Sequence, residues 1–203
     1  MIRNGGIAND GDYSSEEVVV RYKKDLVGQL ANLASRCLSD RLGADLALFA
    51  KIADQQYQAS SPDKRDLELR GALVALPDKV KQQFDKSEFG RGLGYIFDTL
   101  AVANKHISDN EPWKLVKNKD AESQARLQVV LFYSLEAVRI AAIMLQPVMP
   151  DKTSLLLDHL HVARQDRDWS KTRFGSGWTS VSSGSADIEN PKESISQLFP
   201  KLA

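Results

Sequence analysis

A helix-start signature followed by a long apolar stripe sets the fold class of this chain. Ser14 and, three residues on, Glu17 form a capping pair that satisfies backbone N–H groups at a helix start. From there Val19, Tyr22, Leu26, Leu30, Leu33 and Cys37 recur every three or four residues. That spacing puts them on one face of a helix over residues 15–39. The same period returns over residues 44–59, through Leu46, Phe49, Ile52, Ala53 and Tyr57, until Ser60-Ser61-Pro62-Asp63 breaks it. It returns over 63–85, where Pro77 is expected to interrupt the helix or start a new one, and over 87–108. Pro112 suits the first turn of a short helix. A long apolar helix follows over 119–146, with Pro147 and Pro150 ending it, and a last short helix carries Leu155, Leu156, Leu157 and Leu160.

No β-rich region precedes residue 161. The expectation is an all-α fold: an antiparallel bundle of five to six helices with short up-and-down connections. Residues 1–160 form the bundle. Residues 161–203, rich in Ser, Gly, Asp and Arg, form an irregular tail that packs back through Trp169, Phe174 and Trp178. Residues 2–12 are turn-like, an opening that fits a piece of a longer protein.

Composition narrows the function classes. The 203 residues are 42% hydrophobic, and 27 basic residues balance 27 acidic ones. A neutral total argues against tight binding to any phosphate backbone, yet leaves room for a local site that reads a few bases. No run of about eighteen apolar residues marks a transmembrane helix. Cys37 is the single cysteine, so no internal disulfide forms, and its place on an apolar face makes it a core residue. His159 and His161 diverge on a helix, and no acidic or thiol partner completes a metal site with them or with His106. No carboxylate pair is isolated from basic neighbours, and no nucleophile stands beside a base. Gly90-Arg-Gly-Leu-Gly94 lacks the preceding strand and the spacing of a nucleotide loop; it lies within a helical pattern and serves close helix packing.

Three residues remain that suit RNA bases. Asn32 and Arg36, four apart, share one side of a helix on the flank of its apolar stripe. Arg36 offers a planar donor fork for a base edge or a phosphate. The alternative is a solvated face with Arg36 paired to Asp40. Trp113 follows a rigid proline in a charged turn, where an indole can act as a plate for an unstacked base. The alternative is a ring folded under the turn as a cap on the core.

Several strings, in order, resemble the C-terminal part of the methionyl-tRNA synthetases: Arg3-Asn-Gly-Gly-Ile-Ala-Asn-Asp-Gly-Asp-Tyr-Ser14, Leu30-Ala-Asn-Leu-Ala-Ser-Arg36, Ala103-Asn-Lys-His-Ile-Ser-Asp-Asn-Glu-Pro-Trp113, Leu145-Gln-Pro-Val-Met-Pro150 and Leu198-Phe-Pro-Lys-Leu202. The resemblance covers nearly the whole chain. It implies an anticodon-binding bundle in which Asn32, Arg36 and Trp113 bind the methionine anticodon CAU. Trp113 would stack on a base, and Asn32 and Arg36 would bond base edges, with the first-position cytosine the main target. Asn104 would be a brace tying its helix end to the turn of Pro112 and Trp113.

The family's His-x-Gly-His and Lys-Met-Ser-Lys-Ser signatures are absent. The resemblance therefore implies no catalytic residue, metal or cofactor here. It implies a class I catalytic domain earlier in the same chain, methionine tRNA as partner, and ATP and methionine as substrates of the complete ligase. The compact length resembles organellar or simple bacterial forms, which points to the mitochondrial matrix or the cytoplasm. The competing expectation is a helical protein-interaction module that has lost RNA reading.

Overall fold

The computed structural model describes residues 14–54, 62–178, 195 and 198–200. Tyr57, the Ser60-Ser61 break, the 2–12 turn and most of the segment after Trp178 lie outside these residues.

Ser14 caps α1 (Ser15–Arg21) by accepting from the Glu17 N–H. The chain continues as one rod through a π-helical stretch, Tyr22–Ala31, into α2 (Asn32–Cys37). α3 (Leu46–Ala53) starts on an Asp45 cap. α4 (Lys64–Asp85) starts on a capping box in which Asp63 and Asp66 exchange backbone and side-chain bonds. α5 (Phe89–Asn110), the one-turn α6 (Pro112–Leu115), α7 (Ala121–Leu145) and α8 (Pro150–His159) follow. Short 3₁₀ turns at Arg164–Asp166 and Trp169–Thr172 carry the tail.

Contacts fix the directions. Asp66 meets His106 while Phe84 meets Phe89, so α4 and α5 form a hairpin. His106 faces Ser134 and Asn110 faces Arg126, so α7 runs back along α5. Asn104 reaches Gln29 and Arg36 reaches Trp113, so the first rod lies parallel to α5. α7 is central: every residue from Leu127 to Leu145 except Gln128 is buried. Its apolar surface, long enough to cross a membrane, is used inside the bundle.

Two expectations need correction. Pro77 does not break α4; the helix runs through it, with Pro77 buried among the core residues Leu73, Leu76 and Val80. The packing of a 22-residue helix outweighs the ~3 kcal/mol that an interior proline costs. Pro150 does not end α7. It opens α8, where its missing N–H has no intrahelical partner to lose.

The glycine string does bring helices together, at one residue. A Cβ on Gly92 would lie 2.4 Å from Phe84 Cε1, whereas Gly94 faces open space.

The tail is pinned to α7 by a buried ion pair. Glu136 and Arg139 are both fully buried. Glu136 accepts from Arg139 Nε at 2.7 Å, Trp178 Nε1 at 2.7 Å and the Gly175 N–H at 2.6 Å. Arg139 donates onward to the carbonyls of Lys171 and Arg173. Trp178 packs edge-on to Phe49 at 5.0 Å, and Phe174 to Phe132 at 5.7 Å.

Candidate nucleic-acid interface

α2 begins at Asn32, which is exposed, and carries Arg36 one turn later, half-buried. Leu33 and Ala34 between them and Cys37 just after are buried, so the core pins this turn and leaves its polar side outward. Burial pushes the Cys37 thiol up to about 12, which removes it as a nucleophile at neutral pH.

The segment facing Arg36 is the turn after α5. Glu111 there is left-handed (φ 45°), an uncommon state for a residue with a Cβ. It reverses the chain between Asn110, the last residue of α5, and Pro112, the first of α6. Pro112 is buried, and Trp113 next to it is 42% exposed. The indole is therefore not folded away beneath the turn. The Arg36 guanidinium carbon stands over the ring, 5.7 Å from its centroid. Among the described residues Arg36 makes no ion pair with Asp40; the indole is its partner. Asn32, four residues before Arg36 on the same helix, is exposed.

Asn104 braces a different pair than expected. Its Nδ2 donates to the Gln29 carbonyl at 3.1 Å and to Leu100 O at 2.9 Å. It ties α5 to the rod that carries Asn32 and Arg36, not to the turn of Trp113. Gln29 lies in the π-helical stretch, and its carbonyl also takes the Asn32 N–H.

A buried polar cluster underlies the Trp113 turn, and sequence reasoning did not find it. Arg126 of α7 donates to Asp66, to Asp63 at 3.0 Å and to Asn110 Oδ1 at 2.7 Å. Asp66 lies 2.7 Å from His106 Nε2. Burial alone would raise the Asp66 carboxyl, but the hydrogen bonds from His106 and Arg126 outweigh it and hold the group at about 2. These residues are spread over three helices, so no local spacing announces them. Among the described residues no three His, Cys, Asp or Glu side chains group as a metal site.

The described face thus offers stacking and hydrogen bonding without acid–base or nucleophilic chemistry. A family model described as the anticodon binding domain of methionyl tRNA ligase matches residues 57–198. Trp113, Pro112 and Asn104 fall inside that match; Asn32 and Arg36 precede it. The methionine–tRNA ligase of Mycobacterium tuberculosis is 34% identical over 173 residues, which is 84% of this chain and 31% of that protein. A probable mitochondrial methionine–tRNA ligase of Dictyostelium discoideum is 29% identical over 178 residues, 86% of this chain and 30% of its own length. The crystal structure of the apo M. tuberculosis methionyl-tRNA synthetase superposes with a TM-score of 0.75 at 29% identity, covering 100% of this chain and 37% of that one. The form bound by methionyl-adenylate gives 0.73 at 30% identity, covering 98% of this chain and 36% of that one. The chain therefore spans about a third of the length of the relatives it matches.

Proposed function

The chain belongs to the anticodon-binding domain family of the methionyl-tRNA ligases, and from that premise we propose that Asn32, Arg36 and Trp113 read the CAU anticodon of methionine tRNA. The observation that carries this reading is the exposed Trp113 ring facing Arg36 on one open surface. RNA loops are read by stacking splayed bases on aromatic rings and by bonding their edges. Magnitudes favour the exchange. An exposed cation–π contact is worth ~0.5–1 kcal/mol, and stacking a base on an indole ~1–3 kcal/mol. A base that takes the ring therefore wins over Arg36, and the released guanidinium fork is free to bond a base edge. Asn32, with donor and acceptor on one amide, pairs with a second edge. Asn104 and Pro112 support the face by holding its two helical pieces.

The complete protein would be a methionine–tRNA ligase, a class I enzyme that uses ATP and methionine on a catalytic domain earlier in the chain. Relatives include mitochondrial and bacterial forms; the mitochondrial matrix is the compartment we favour, the cytoplasm the alternative.

The test is binding of a CAU anticodon hairpin to this chain. Trp113→Ala weakens it by ~1–3 kcal/mol, and changing the anticodon removes the difference between wild type and variant. Equal affinities of wild type and Trp113→Ala for the CAU hairpin would overturn the assignment. Affinity also falls with added salt if phosphates are contacted, whereas a protein partner held by apolar burial responds little.

A further inference from the structure

The one-turn α6 that carries Trp113 packs on α7. It is entered through Asn110, the left-handed Glu111 and the buried Pro112. Asn110 is 8% exposed and both ends of its amide are used. Its Nδ2 donates back to His106 O at 2.9 Å, which closes the last turn of α5. Its Oδ1 accepts from Arg126 at 2.7 Å. The same guanidinium holds Asp63 and Asp66, the two residues that cap α4. One arginine of α7 thus clamps the start of α4 and the end of α5. The left-handed turn leaves directly from that clamp, two residues before the indole.

We propose that Arg126 is a positioning residue for the interface: through Asn110 it sets the trajectory of the 110–113 turn and so holds the Trp113 ring against Arg36. A planar fork is required for this, because it must meet two carboxylates and an amide in different directions. A lysine retains the charge opposite Asp66 but cannot span the three groups. The Arg126 side chain is only slightly exposed, and it acts through the turn. The consequence for RNA binding rests on the anticodon reading above, but the effect on the ring does not.

The test uses this chain labelled with 5-fluorotryptophan. It contains three tryptophans, and Trp113→Phe assigns the resonance of interest. Arg126→Lys and Asn110→Ala are the two variants. The second removes the link to the turn and leaves the Asp63–Asp66–Arg126 cluster intact, so it remains informative if Arg126→Lys does not fold. In each folded variant the Trp113 fluorine resonance shifts or broadens, and that of the fully buried Trp178 stays in place. Affinity for the CAU hairpin falls about fivefold or more, a part of the stacking contribution. An unmoved Trp113 resonance in folded Asn110→Ala overturns the inference, as does an equal shift of Trp178, which would mean general loosening. If Trp113→Ala leaves RNA affinity unchanged while Asn110→Ala still moves the Trp113 resonance, the anticodon reading fails and the positioning role stands.

Discussion

The Arg36 guanidinium carbon lies 5.7 Å from the centroid of the Trp113 ring, although the two residues belong to helical pieces far apart in the chain. This contact joins the α2 side of the face to the α5–α6 turn. Chemical unfolding of Arg36→Ala, Trp113→Ala and the double variant should give a coupling of ~0.5–1 kcal/mol, the range for an exposed cation–π pair. Additive losses would mean that the ring and the cation are neighbours without attraction.

Acid should act on the cluster beneath that turn. Asp66 is held at about 2 in the folded state, below its ordinary 3.8. A carboxyl with a depressed folded pKa contributes stability above its unfolded pKa and loses it as pH falls through the folded value. Between about pH 4 and pH 2 the wild type should therefore lose on the order of 2 kcal/mol through this group. Asp66→Asn, though less stable at neutral pH, should show a shallower decline over the same interval. Urea unfolding at fixed ionic strength checks this, and parallel declines would contradict it.

The buried Glu136–Arg139 pair gives a sharper stability prediction. Removing one partner leaves an uncompensated buried charge, which costs ~3–5 kcal/mol. Glu136→Leu should fall in that range and expose Trp178, seen as a red shift in its emission. Glu136→Leu combined with Arg139→Met should recover part of the loss, since no buried charge remains. A double variant less stable than Glu136→Leu alone would refute this reading of the pair.

Much of the fold was legible because helix faces are local. The Ser14–Glu17 cap, the stripe from Tyr22 to Cys37 and the apolar run of α7 are periodic signals that tertiary packing reinforces. Pro77 misled because local chemistry disfavours it in a helix, while the burial of Leu73, Leu76 and Val80 around it decides otherwise. The π-helical stretch over Tyr22–Ala31 left no periodic signal distinct from that of an α-helix, and the Asn104 bond to its Gln29 carbonyl joins residues 75 apart in the chain. At the site, Asn32, Arg36 and Trp113 could be picked out by residue type and turn chemistry. The contact between Arg36 and Trp113 could not, since spacing alone leaves Arg36 as readily on a solvated face and Trp113 as readily under its turn. The cluster of Asp66, His106, Asn110 and Arg126 left no trace at all, because its members meet only once α4, α5 and α7 have packed.

The most direct measurement places a fluorescent cytosine analogue, pyrrolo-cytosine, at the first anticodon position of a CAU hairpin. Stacking of that base on Trp113 predicts a saturable change in its emission on adding wild-type protein, and no such change with Trp113→Ala at saturating concentration. Identical emission changes with the two proteins, or none with the wild type once the hairpin is bound, would contradict the claim that this indole receives the base.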